Sequence, residues 1–249
     1  MDFIASSAAW TFVTCCSSTF LSREFARRVA WRYRKGMSVA SKPPTADRVI
    51  IRDVSWQTYE CLLKDLENRS APRLAYDRGI LEIMSPPFGH EEVNRALAAI
   101  VEIVLEEMEI DFRNAGSTTF KREDQERGFE PDSSFYIRNV ERVRGKNKLD
   151  MNVDPPPDLL IEADLTHNSL NKFPLYTALA VPEVWRYTDV LKIWLLNESQ
   201  YIRSSTSRAL PILTENVISQ WVQSSIVEKR PPWLHATRLR VRELLSEGC

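Results

Sequence analysis

Apolar residues recur at helical spacing in two stretches and alternate or run together in several shorter ones, with turn residues between them. Behind Ser55, whose hydroxyl suits an N-cap, Tyr59, Leu62, Leu63 and Leu66 repeat at helical spacing and predict an outer helix. From His90 to Met108 the pattern is clearest: Val93, Leu97, Ile100, Val101, Val104 and Met108 share one stripe, while Glu92, Glu102, Glu106 and Glu109 lie off it. Arg73 to Met84 is two alternating runs joined at Asp77-Arg78-Gly79, which predicts a hairpin that Ser85-Pro86-Pro87 ends. A second hairpin is expected from Glu183–Tyr187 and Leu191–Leu196 around Thr188-Asp189. Between the hairpins, a strand opens at Glu130-Pro131-Asp132, and a period of two puts Asp132, Ser134 and Tyr136 on one face and Phe135 and Ile137 on the other. Leu159-Leu160-Ile161 is the continuous apolar run of a strand buried on both faces.

The pattern divides the chain into an N-terminal tail or extension (1–45), expected to be poorly ordered, a central domain (46–200) and a C-terminal appendage (201–249). Trp221, Trp233 and the basic run Arg238, Arg240, Arg242 fall in the last part. With 249 residues, 43% apolar and 27% charged, the chain is long enough for one substantial core plus appendages. A net charge of -1 removes any global basic field, so a polyanion site has to be local. Cys15, Cys16, Cys61 and Cys249 show neither zinc spacing nor a disulfide framework, which fits a reducing compartment. Residues 1–36 carry six basic residues against Asp2 and Glu24. They read as a transit peptide, a weak signal sequence, or an extension upstream of a start at Met37. No run reaches the roughly 18 apolar residues of a membrane span, so a cytoplasmic protein without a membrane partner is expected.

Candidate chemistry enters with Glu162, at the inner end of the apolar strand. A buried carboxylate must be neutralised, hydrogen-bonded or placed on a metal; alternatively, Glu162 marks where the strand emerges into solvent. Pro174 suits the first turn of a helix, so Lys172, Leu175, Tyr176 and Leu179 start an apolar stripe that turns the lysine toward the sheet, unless its stem runs along the core edge to water. His90 falls on the core side of its helix, as a phosphate- or water-contacting group or as a satisfied buried histidine. The loop Arg138–Lys148 holds five basic residues and one acid. It meets phosphate or is simply solvated. Two carboxylates about 4 Å apart repel by roughly 4 kcal/mol at an effective dielectric of 20, so Asp132 beside Glu162 calls for a divalent cation. Together with a lysine, that is equipment for metal-assisted phosphodiester hydrolysis.

Taken in order, Tyr76-Asp77-Arg78-Gly79, Met84-Ser85-Pro86, His90, Glu130-Pro131-Asp132, Pro157-Asp158-Leu159-Leu160-Ile161-Glu162, Lys172 with Tyr176, and Val181-Pro182-Glu183-Val184-Trp185 resemble the Uma-type restriction endonuclease family, part of the PD-(D/E)xK nuclease superfamily. The resemblance covers roughly Val54 to Leu196. It implies an α/β fold with a mixed central β-sheet flanked by helices, a restriction-endonuclease-like core. It also implies Asp132, Glu162 and the carbonyl of Ala163 as metal ligands, oxygen donors that suit Mg²⁺ or Mn²⁺; the resemblance itself supplies no substrate, and DNA is the expected one from the phosphodiester chemistry of the residues. Asp132, Glu162, Lys172 and His90 are the expected catalytic set, and homodimerisation is left open. The chain departs from the simplest pattern in one place: Asp164 stands two residues after Glu162, where a lysine is usual, and the resemblance moves that role to Lys172.

Overall fold

In the computed structural model, the described residues are 47–67, 69, 71–164 and 170–247. The expectations for residues 1–45, including Cys15 and Cys16, and those for His167 and Cys249, lie outside them. Strand β1 (Asp47–Ile51) is followed by α1 (Trp56–Leu66), the hairpin β2 (Arg73–Asp77) and β3 (Ile80–Ser85), and the long helix α2 (Phe88–Glu107). Then come β4 (Arg113–Asn114), β5 (Phe120–Arg122), β6 (Arg127–Phe129), β7 (Ser133–Tyr136), the single turn α3 (Val140–Val143) and β8 (Leu159–Ala163). A short helix α4 (Phe173–Ala178), the strands β9 (Glu183–Tyr187), β10 (Leu191–Asn197) and β11 (Gln200–Ser204), and the helices α5 (Glu215–Val227) and α6 (Arg230–Glu247) complete the chain.

Local chemistry explains the boundaries. Ser55 caps α1 by accepting from the Thr58 amide at 3.2 Å. The first hairpin turns on Arg78 and Gly79, both at positive φ (43° and 91°), the pair of left-handed residues that a two-residue turn matched to strand twist requires. Pro174 sits in the first turn of α4, where its missing N–H costs nothing.

The expected mixed sheet is present, and a second, antiparallel sheet accompanies it. Five strands in the order β1-β3-β2-β6-β5 are wholly antiparallel. The mixed sheet is the six-stranded one, β11-β10-β9-β8-β7-β4, in which β8 and β9 run parallel. Strand β8 shows why its apolar run is continuous. Leu159, Ile161 and Ala163 pack on one side with Phe135, Trp185 and the buried stripe of α2, whereas Leu160 packs on the other with Phe129, Tyr136, Leu175 and Tyr176. Glu162 follows Leu160 in that alternation and therefore faces the second cluster. Helices α5 and α6 complete the first: Ile218, Trp221, Val222, Trp233 and Val241 are buried there with α2. Two members of the basic run clamp the acidic end of α2, with Arg238 donating to Glu106 and Glu107 (2.7 and 2.9 Å) and Arg242 to Glu107 (2.7 Å). Acids at a helix C-terminus oppose its dipole, and these guanidinium groups offset that. Among the described residues, no helix is long and apolar enough to cross a membrane.

Candidate active site

Strands β7 and β8 pair antiparallel with Ser133 opposite Ile161, which sets Asp132 beside Glu162 at the end of the ladder. The alternation of both strands turns these two acids to the same side of the sheet. The Ala163 amide donates to Asp132 Oδ2 at 2.7 Å, tying the first carboxylate to the peptide after the second acid. Helix α2 brings His90, only 4% exposed, so that Nε2 lies 3.1 Å from Asp132 Oδ2. Helix α4 brings two groups onto Glu162: Lys172 Nζ donates to Oε2 at 3.0 Å and the Tyr176 hydroxyl to Oε1 at 2.7 Å. Asp132, Glu162, Ala163, Lys172 and His90 are thus gathered in one place, although 82 residues separate the first from the last in sequence.

Arg73 is the functional residue that sequence reasoning missed. Its Nη1 forms an ion pair with Asp132 Oδ1, and its Nη2 donates to Glu91. The available signal was a charged residue opening the otherwise apolar alternation Leu74-Ala75-Tyr76 of a strand buried from its first position. Asn94 was missed too. It donates to the Asp132 carbonyl at 3.2 Å and accepts from the Ser133 hydroxyl at 2.8 Å, locking the approach to β7 onto α2. Each carboxylate already has its own cation, Arg73 on one and Lys172 on the other.

Partners sort the remaining buried acids. Asp158 accepts from the amides of Ile137 and Asn139 (2.7 and 3.2 Å), and Glu183 from the amides of Arg208 and Ala209 (both 2.8 Å) and the indole of Trp185 (2.6 Å). Carboxylates saturated by backbone amides pin loops and leave no room for a ligand. Asp164, where the simplest superfamily pattern has lysine, accepts from Arg186 at 2.6 Å. Asp132 and Glu162 are buried on a common face, each with its own cationic partner.

Burial tunes the titrating groups. Desolvation, reinforced by the Arg73 charge, lowers His90 from 6.5 to about 4, so the imidazole is neutral at pH 7; its Nδ1 has no hydrogen-bond partner among the described residues. Desolvation and the Glu162 charge hold the Tyr176 phenol well above its usual value, so it can only donate to that carboxylate. Burial also raises Glu130, which accepts from the Leu74 amide at 2.7 Å and the Thr119 hydroxyl at 2.8 Å beside the Arg73 strand.

The donor set suits a hard divalent ion. Two carboxylates and a backbone carbonyl are oxygen ligands of the type Mg²⁺ and Mn²⁺ accept. Asp132 Oδ1 is fully buried without an aligned hydrogen bond, its charge answered by the Arg73 ion pair alone. Glu162 and Ala163 line a pocket of about 30 Å³ with His90 and Lys172, room for a small ion or a water or two. Among the described residues, no group of three or more His, Cys, Asp or Glu side chains converges on one metal position, so such a site would depend on the carbonyl and on waters.

A solved structure from Anabaena variabilis, described as a putative nuclease belonging to DUF820, is similar over 68% of this chain and 99% of its own, with 14% identity and a TM-score of 0.47. No curated protein matches the chain. The sequence match is what assigns it: the family model described as "Putative restriction endonuclease" covers residues 56–226, from the first buried residue of α1 into α5 and through every residue of the site, and the chain belongs to this Uma2 family.

Proposed function

We propose that the protein is a metal-dependent endonuclease that hydrolyses DNA phosphodiester bonds at the Asp132–Glu162 site. One observation carries the reading: two buried carboxylates on a common face, linked through the Ala163 amide, with a lysine ammonium 3.0 Å from one of them. Asp132, Glu162 and the Ala163 carbonyl would hold Mg²⁺ or Mn²⁺. Bound there, the ion would polarise the phosphoryl group and lower the pKa of a water. The chain's own groups do the rest. Lys172 orients the attacking water and places positive charge where the phosphoryl oxygens gain negative charge. Tyr176 fixes the Glu162 carboxylate against rotation, and neutral His90 donates from Nε2 to hold Asp132. Water adds to phosphorus, the P–O bond to the leaving strand breaks, and the departing oxygen takes up a proton.

Supercoiled plasmid in Mg²⁺ or Mn²⁺ tests this. The wild type should nick it, EDTA should abolish nicking, and Asp132→Asn, Glu162→Gln and Lys172→Ala should each lower the rate by on the order of 10²-fold or more. An unchanged rate in folded Lys172→Ala would sink the assignment of that lysine. The Arg73–Asp132 ion pair favours a second reading, a nucleic-acid-binding or regulatory protein that keeps the fold without hydrolysis. Calorimetry separates the two: Mn²⁺ binding that disappears in Asp132→Ala supports the enzyme, and DNA binding with no metal uptake by the complex supports the rival.

A further inference from the structure

A cleft of about 1060 Å³ between α1 and the segment after α3 is far larger than the carboxylate pocket of about 30 Å³. Seven cationic side chains line it against three acids, Glu60, Glu67 and Glu130, in a chain whose net charge is -1. Five of these cations come from four separate parts of the chain: Lys64 at the end of α1, Arg113 on β4, Lys121 on β5, and Lys146 with Lys148 from the basic loop; Arg69 and Arg73 are the other two. Some are partly engaged. Lys121 pairs with Glu60, Lys146 with Asp154, and Arg113 donates to the carbonyls of Val143 and Lys146. Lys148 is 90% exposed, 3.8 Å from Glu67, and Lys64 is exposed. On the inner wall stands Arg73, 8% exposed, with a buried Nε that makes no hydrogen bond among the described residues. Arg73 is also the residue paired with Asp132, so one residue belongs both to the cleft wall and to the carboxylate site.

We propose that this cleft holds the sugar-phosphate backbone of a single nucleic-acid strand, with Lys64, Arg113, Lys121, Lys146 and Lys148 neutralising phosphates and Arg73 presenting the strand to Asp132. The proposal rests on the nuclease reading and extends it to the substrate's path. Shape favours a strand over a duplex: the site is a cleft between α1 and the segment after α3, whereas a duplex is bound along an open face of the protein surface. Composition favours the backbone over the bases. Among the described residues, the only aromatic side chain lining the cleft is Tyr136, itself buried and with its hydroxyl committed to the Pro155 carbonyl at 3.1 Å, so these residues offer no platform for base stacking. Binding should be indifferent to base sequence and steeply dependent on salt.

The test is fluorescence anisotropy of a labelled 12-nucleotide single strand with the full chain in EDTA, between about 50 and 200 mM salt. Lys64→Gln/Lys148→Gln should lower the slope of log K against log salt by roughly 1.4, about 0.7 for each phosphate contact on a single strand. Lys229→Gln/Arg240→Gln changes net charge equally away from the cleft and should keep the wild-type slope. Circular dichroism checks that both variants are folded. Equal slopes for wild type and the cleft variant overturn the proposal, as do equal losses in both variants or tighter binding of a duplex of the same length. If the wild type binds no strand but nicks plasmid, the cleft assignment fails while the nuclease reading stands. If it neither binds nor nicks, both fail. Strand binding with the expected loss of slope supports the cleft whether or not plasmid is cut.

Discussion

Replacing Arg73 with methionine tests how the site keeps two buried carboxylates without unfolding the chain. The Arg73 side chain is 9% exposed and that of Asp132 1%, so the pair is buried, and removing one member of such a pair typically costs about 3–5 kcal/mol. A ceiling follows from titration. The stranded carboxylate can take up a proton, and keeping an aspartate of ordinary pKa near 3.9 neutral at pH 7 costs about 4 kcal/mol. His90 and the Ala163 amide continue to hold the other oxygen in the variant, so they do not add to the loss. Arg73→Met should therefore lose about 3–4 kcal/mol in EDTA at pH 7, a fall in Tm of roughly 6–16 °C for a chain of this size. Urea unfolding of Arg73→Met, Asp132→Asn and the double variant gives the coupling energy directly, and the double variant should recover most of the loss. The deficit should also shrink as the pH falls toward 5. In the variant Asp132 has a folded pKa above its unfolded value, the native state binds the extra proton, and stability rises as pH falls through that window. Millimolar Mn²⁺ should stabilise Arg73→Met more than wild type, because the ion no longer competes with a guanidinium for Asp132. A loss below about 1 kcal/mol, or a double variant no better than Arg73→Met, would refute the claim that Arg73 neutralises Asp132.

Tyr176→Phe leaves Glu162 Oε1 without its buried donor and should cost about 1.5–3 kcal/mol in denaturant unfolding while leaving the fold intact by circular dichroism. His90 should stay neutral down to about pH 4, against 6.5 in the unfolded chain. Between those values the unfolded state alone binds the proton, so stability falls as pH falls, by up to about 3 kcal/mol, and His90→Gln should flatten the profile. Gly128→Ala should destabilise by about 1–3 kcal/mol, since a Cβ there would stand 2.3 Å from the Tyr59 hydroxyl and 2.9 Å from its ring, which is itself buried and stacked on Tyr76; an unchanged Tm would show that the ring can move aside.

Much of this was legible where one residue's local rule agreed with its tertiary role. The stripe of α2 placed His90 on the core side because a 3.6-residue period continues into the first turn, and burial at 4% agrees. Lys172 could be turned toward the sheet because Pro174 marks the helix start, and the spacing to Leu175, Tyr176 and Leu179 put the buried face of α4 under it. What was not legible depends on contacts between distant strands. That β1, β2, β3, β5 and β6 leave the mixed sheet to form their own follows from pairings such as Tyr76 with Gly128, which no local pattern encodes. Arg73 was hidden for the same reason. On its own strand it is one charge before an apolar run, and its role exists only because that sheet delivers it to the start of β7. The cleft was half visible: the basic loop suggested phosphate, but its other cations lie on α1, β4 and β5.

Charge balance connects the two sites. Asp132 and Glu162 carry two negative charges and their partners Arg73 and Lys172 two positive ones, so these four groups balance, with Glu91 a further acid on Arg73. A divalent ion entering alone would leave an excess of two positive charges in a poorly solvated space, which is costly. A phosphodiester entering alone would meet two carboxylates. On the proposed reading the combination would be cheaper: a phosphate in the cleft would draw the Arg73 guanidinium toward itself and free Asp132, one of the residues that would hold the ion. On this account metal and strand bind with positive coupling, and by linkage each raises the other's affinity by the same factor. Arg73 would then be the element that makes the site respond to substrate, because it pairs with Asp132 and also lines the cleft.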